Sequence, residues 1–351
     1  MVDRRTFVRT AMGMVALAPL TEIAARSGAR AYAGDPPAGP IVTGTGDQRY
    51  RVEHDWLTPP PDIVWGDTHG LAQDARGRIY VSHTVHPTST KKDAIVVFDR
   101  DGTFITSWGE RFVGGGHGLD IRKEGDQEFL YHCDVNHRRF AKTTLDGELL
   151  WETGAPLHAK VGDETLYANE NEWNPTNVAF HPDGDVFVGD GYGKSFVHRF
   201  SKDGEWKTTI ATPGEKPGEV RCPHGLWLDA RGREPVLAVA DRGNHRIQYF
   251  TLDGKHLRFV TDGMRQPCHF KTRGDLLLVP DLSSVVTILD SDNRVVSQLC
   301  DGHPTNLRDA PRDQFIPGKF IHPHTAIWLD DGSILVAEWV PVGRITRLVK
   351  A

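Results

Sequence analysis

Pro223-His224-Gly225-Leu226-Trp227-Leu228-Asp229, followed by Val239-Ala240-Asp241 and closed by Thr251-Leu252-Asp253-Gly254, is the stretch from which the fold can be read. A histidine stands before a short apolar run, a second apolar run ends in a carboxylate, and an Asp-Gly pair supplies the backbone freedom that a tight hairpin needs. The same order recurs on both sides. Upstream it runs from Thr68-His69-Gly70-Leu71 to Asp101-Gly102, from Gly116-His117-Gly118-Leu119 to Asp146-Gly147, and from Asn174-Pro175-Thr176-Asn177 to Asp203-Gly204. Downstream, a degenerate copy begins at Gln266-Pro267-Cys268-His269 and the last at Pro323-His324-Thr325-Ala326. Six such units, each with several short strands, predict an all-β protein, a six-bladed β-propeller over residues 65–351.

Composition agrees. With 36 Gly and 22 Pro the chain is rich in turn residues and its apolar segments are short, which favours strands over long helices. A net charge of −6, with no basic run beyond the N-terminus, lacks the footprint of a nucleic-acid binder. Residues 1–33 read as a twin-arginine signal peptide: Asp3-Arg4-Arg5-Thr6-Phe7-Val8-Arg9, an apolar core from Ala11 to Leu20, and a small-x-small site at Ala31-Tyr32-Ala33. The apolar run is too short to span a bilayer. The expectation is a periplasmic or secreted protein, a client of the twin-arginine machinery with no membrane span after processing. Residues 34–64 read as a Gly/Pro-rich lead-in or strap. Cys133, Cys222, Cys268 and Cys300 contain no CxxC pair and could bridge in three ways.

The innermost strand of each propeller blade lines the central channel, so equivalent positions form a ring. Here it reads His69, His117, Thr176, His224, Cys268, His324. His117, His224 and His324 fall on blades two, four and six, and alternate blades of a six-fold ring point at one spot on its axis. Three neutral imidazoles with a vacant further position are the arrangement of a catalytic zinc site, and another first-row divalent metal would accept them. The competing expectation is a structural repeat motif that hydrogen-bonds between blades, since His69 carries the same motif and breaks the alternation. Asp134, Asp190, Asp241, Asp281 and Glu338 end successive inner strands and are expected to accept backbone hydrogen bonds or pair with arginines.

The Pro-His unit starts, together with Asn174-Pro175-Thr176-Asn177-Val178-Ala179, Asp190-Gly191-Tyr192 and Val239-Ala240-Asp241-Arg242-Gly243-Asn244-His245-Arg246-Ile247-Gln248, resemble the lyase domain of peptidylglycine α-amidating enzymes, a propeller of the NHL-repeat type. The resemblance covers nearly all of the chain after the signal segment. It implies that His117, His224 and His324 are zinc ligands, Tyr192 the catalytic base and Arg242 an active-site arginine, in a reaction that splits an α-hydroxyglycine into an amide and glyoxylate. The chain also departs from the family. Thr84 stands where the family has a second arginine, which leaves His83, Thr84 and His86 as candidate substrate contacts. Thr325 replaces a carboxylate of the family's calcium site, so the carbonyls of Leu71 and Leu119 are what remains of a second cation site. Gly193 replaces a cysteine. The expected function is an exported metal-dependent lyase, cleaving a small polar or hydroxylated substrate, a small molecule or a peptide, at the three-histidine site with a tyrosine base. The alternatives are a calcium-dependent lactonase or sugar-acid hydrolase using the carboxylate ring, and a non-catalytic NHL binding scaffold.

Overall fold

The structure, a computed structural model, describes residues 39–351. The twin-arginine segment expected at 1–33 lies outside them. The expected propeller is what forms. Blade one runs outward from the inner strand Thr68–Gln73 through Ile79–His83 and Ile95–Phe98 to Phe104–Trp108, each strand pairing antiparallel with the one before. Blade two runs from Gly116–Glu124 to Leu149–Thr153, blade three from Asn177–Phe180 to Trp206–Pro213, blade four from Pro223–Asp229 to His256–Val260, and blade five from Lys271–Arg273 to Val295–Leu299.

The strands are held by the faces they bury. Each junction between neighbouring blades is one apolar cluster: Leu71, Val81 and Phe98 of blade one meet Ile327, Leu335 and Ile345 of blade six, and Val239 and Leu226 of blade four meet Phe187 and Val197 of blade three. Because both faces of a middle strand are covered, Ile79-Tyr80-Val81 and Val186-Phe187-Val188 are apolar without alternation and fully buried. The Asp-Gly pairs make the expected turns, with φ of 81° at Gly102, 90° at Gly147, 85° at Gly204 and 96° at Gly254.

Blade six corrects the sequence-based expectation. Its strands Pro323–Trp328, Ile334–Glu338 and Arg344–Lys350 are completed by Gln48–Glu53 and then Val42–Thr45. The segment expected as a lead-in or strap is therefore the outer part of the last blade. Tyr50 pairs opposite Lys350 and Val52 opposite Leu348, and Tyr50 packs on Val286, Ile288 and Leu348. The backbone amides of Thr45 and Cys300 extend the closure to blade five, bonding to Ser297 Oγ and Thr43 Oγ1 at 3.0 and 2.7 Å. A ring of blades needs one closing strand that is remote in sequence, and residues 42–53 supply it.

The carboxylates ending the second strands are used as struts. Asp281 Oδ2 accepts the amides of Arg265 and Gln266, both at 2.8 Å. Asp241 accepts the Arg221 amide at 2.7 Å and pairs with Arg246. Glu338 accepts the Ile321 amide at 2.7 Å and pairs with Arg344, both side chains fully buried. All four cysteines are free thiols, three of them buried.

Candidate metal centre

The His-Gly dipeptide at the start of an inner strand has a local physical reason. A Cβ on Gly118 would lie 2.4 Å from the carbonyl oxygen of Thr176, and one on Gly225 would lie 2.3 Å from that of Cys268. Glycine lets the next blade approach, and those same carbonyls accept Nδ1–H of the preceding histidines: His117 Nδ1 to Thr176 O at 2.7 Å, and His224 Nδ1 to Cys268 O at 2.9 Å. His324 is followed by Thr325 and its Nδ1 reaches the carbonyl of His69 at a longer 3.3 Å. Donating Nδ1–H to a carbonyl fixes the tautomer and leaves the Nε2 lone pair facing inward.

Three such rings converge. The ring centroids of His117, His224 and His324 are 4.6 to 4.9 Å apart, and Nε2 of His324 lies 3.1 Å from Nε2 of His117. All three side chains are buried, and burial holds each imidazole well below the ordinary histidine range, at about 3 for His117. Neutral rings are what a metal requires. Two acceptor nitrogens 3.1 Å apart, each with its proton committed elsewhere, have nothing to share unless a cation lies between them. Metal–nitrogen bonds of about 2.0–2.1 Å place neighbouring ligand atoms about 2.9–3.4 Å apart, and the observed spacing fits.

A fourth ring joins them. His69 has centroids 4.8 Å from His117 and 4.5 Å from His324, and ligand atoms of His69, His117 and His324 all lie within 4.8 Å of one another, a group that His224 adjoins through its ring contacts with His117 and His324 without belonging to it. The alternation of blades two, four and six set this residue aside, although its motif, Thr68-His69-Gly70-Leu71, was the available signal.

Tyr192, which follows the second strand of blade three, brings its Oη to 3.2 Å from His117 Nε2 and 3.0 Å from His224 Nε2. The residue is 41% exposed, while its hydroxyl reaches the buried imidazoles. Burial of that tip pushes the hydroxyl up to about 12, against the pull of Arg242. The Arg242 guanidinium sits 5.3 Å from the Tyr192 ring centroid and donates to Cys222 Sγ at 3.2 Å. The arginine alone therefore does not make a phenolate at neutral pH.

The other candidates are placed differently. His83 is fully buried against Trp65; its Nδ1 accepts the amides of Gly66 and Val85, each at 3.2 Å, and its Nε2 meets the carbonyl of Asp93 at 3.0 Å. Both nitrogens thus already have backbone partners. Thr84 Oγ1 accepts the Asp67 amide at 3.0 Å, and His86 bonds to Thr88 in an exposed loop. A cation does approach this side of the mouth: Arg308, from the insertion before blade six, pairs with Asp67 at 2.9 Å and stacks 3.8 Å from the Trp339 centroid.

Leu71 and Leu119 lie buried in the inner strands of blades one and two. At the next residue, Asp120 Oδ1 receives Lys271 Nζ at 2.7 Å from blade five.

No family model matches the chain. Over 322 residues it is 40% identical to peptidyl-glycine alpha-amidating monooxygenase A of Xenopus laevis, a match covering 83% of this chain and 33% of that protein. It is 25% identical over 264 residues to peptidyl-alpha-hydroxyglycine alpha-amidating lyase 2 of Drosophila melanogaster, covering 74% of this chain and 60% of the relative. To human NHL repeat-containing protein 3 it is 27% identical over 212 residues, 58% of this chain and 57% of the relative. The chain thus spans less than two thirds of the length of each of these relatives. Among solved structures, virginiamycin B lyase from Staphylococcus aureus superposes with a TM-score of 0.54 at 14% identity, over 86% of this chain and 99% of its own. A candidate gluconolactonase superposes with a TM-score of 0.55 at 17% identity, over 85% and 92%. At these identities the structural likeness is one of fold. Six blades closed around converging imidazoles, with these relatives, make the chain a six-bladed β-propeller similar to the peptidyl-α-hydroxyglycine α-amidating lyases and to NHL repeat proteins.

Proposed function

We propose that the protein is a metal-dependent lyase that cleaves the carbon–nitrogen bond of a small or peptidic α-hydroxyglycine-type substrate, releasing glyoxylate. The observation that carries this reading is the 3.1 Å approach of two Nε2 atoms whose Nδ1 protons are donated to carbonyls, beside a tyrosine hydroxyl within 3.2 Å of one of them. Zinc or another first-row divalent ion held by His117, His224 and His324 would supply the Lewis acidity that lowers the pKa of a substrate hydroxyl.

The remaining chemistry belongs to the chain. With its pKa lowered by such an ion, Tyr192 Oη is placed to take the hydroxyl proton; the O–H electron pair becomes the second carbon–oxygen bond, the C–N pair leaves with nitrogen, and Tyr192 returns the proton to nitrogen as the amide departs. Arg242, always charged, faces the same tyrosine and can hold a carboxylate of the substrate. The lactonase alternative has less support, since the carboxylates it needs already accept backbone amides or pair with arginines.

Metal content and glyoxylate release from an α-hydroxyglycine compound test the proposal together. The wild-type protein is expected to carry stoichiometric metal and release glyoxylate; His224→Ala is expected to lose both. Full metal content in that variant would sink it. Export by the twin-arginine route is part of the same proposal and rests on Arg4-Arg5 and the apolar Ala11–Leu20 run. Replacing both arginines by lysine should leave the protein in the cytoplasm on cell fractionation, and unchanged export would remove that part.

A further inference from the structure

We infer that the metal centre is held by four histidines, with His69 as the fourth ligand through Nδ1. This rests on the metal reading above and deepens it.

The four rings form two triangles that share an edge. His117 and His324 belong to both, His224 completes one, and His69 completes the other. His69 is buried like the rest, and its Nδ1 lies 3.4 Å from His324 Nε2, within the spacing expected between two ligands of one ion.

What distinguishes His69 is the nitrogen it presents. In His117 and His224 the carbonyl of the following blade takes Nδ1–H, so Nε2 faces the centre. For His69 the corresponding acceptor is the carbonyl of His117, and a Cβ on Gly70 would lie 2.7 Å from it, so the blades approach just as closely. That carbonyl is taken instead by Ser82, whose Oγ donates to it at 3.0 Å and itself accepts the Gly70 amide at 2.9 Å. With its partner occupied, Nδ1 of His69 turns to the other rings. The serine hydroxyl substitutes for an imidazole N–H and releases a ring nitrogen to the centre.

Four imidazoles carry no charge, so the ion keeps its full positive charge, which suits first-row metals and an anionic or polarisable substrate oxygen. Tyr192 Oη lies along the edge between His117 and His224, on the side away from His69. As a ligand, His69 would close one side of the site and leave the side of the tyrosine open.

The test compares wild type, His69→Ala and His224→Ala, each reconstituted with Co(II). Expected for His69→Ala is retained but weaker binding, by at least the roughly 10–100-fold that loss of an outer partner alone produces. Its visible d–d bands should intensify and move to longer wavelength, as one ligand is lost. X-ray absorption of the wild-type holoprotein should count four imidazoles, a measurement that needs no variant to fold. Three imidazoles in wild type, with unchanged affinity and spectrum in His69→Ala, would overturn the inference while leaving the three-histidine site standing. No cobalt bound by the wild-type protein would overturn both.

Discussion

Tyr192 is the residue on which the proposed chemistry turns, because its hydroxyl is the group nearest the imidazoles that can exchange a proton. Its replacement by phenylalanine removes one oxygen from a ring that is already partly exposed. Tyr192→Phe should therefore lower the rate of glyoxylate release by about 10²–10⁴-fold with metal content unchanged; parallel metal analysis and kinetics would show it, and an unaffected rate would exclude the tyrosine as base. How legible these residues were depends on what a motif can encode. His117, His224 and His324 stood out because a histidine before a strand recurs at blade spacing. His69 carried the same motif, but symmetry said nothing for it, and no pattern states which ring nitrogen faces inward; that is decided by Ser82, a residue without any signature of its own. His83 illustrates the opposite failure. A histidine ending a strand reads the same whether it faces the channel or packs on Trp65.

Among elements, the closing pair Val42–Thr45 and Gln48–Glu53 matters most for integrity. It joins the end of the chain to its beginning: Glu53 pairs opposite Arg347. Neither strand contains the histidine or Asp-Gly signals of the repeats, and the strand they pair with lies at the far end of the sequence, so no local pattern marks them as part of a blade. Tyr50, 2% exposed, is their anchor. Tyr50→Ala should destabilise the fold by about 3–5 kcal/mol, the range for deleting a buried aromatic ring. Urea unfolding checks this, and a loss under 1 kcal/mol would mean that the outer strands contribute little to closure. The repeats themselves were legible because each is a local unit whose turns need Gly and whose strands need apolar runs. The segment carrying Arg308 holds none of the repeat signals, and its ion pair with Asp67 is tertiary.

At the scale of the whole molecule, two sets of buried groups set the response to conditions. His132 stacks on Phe112, and His198 lies among Tyr167, Trp206 and Thr209; burial lowers both to about 3. Unfolding returns them to about 6.5, so between these values the unfolded chain binds more protons. Their contribution is present above pH 6.5 and is lost as pH falls toward 3, at up to about 1.4 kcal/mol per pH unit for each ring. His198→Phe should flatten the stability profile over that interval by one proton, as denaturant titrations at several pH values would show. The second set is Lys271 and Asp120, which stand on inner strands of blades five and two, opposite each other across the ring. Lys271→Met would strand a carboxylate that is 1% exposed, at a cost of about 3–5 kcal/mol; adding Asp120→Leu should recover most of it, and an unchanged unfolding midpoint in the single variant would contradict the pairing. The same ion pair has a kinetic meaning. It spans the ring about 10 Å beyond the imidazoles, some three strand residues further on, where Lys271 also lines a cavity with Ala72, Ile121 and Ile327. For the proposed lyase, a side chain pair laid across the axis makes the Tyr192 side the way in and the way out, so a product held there delays the next substrate.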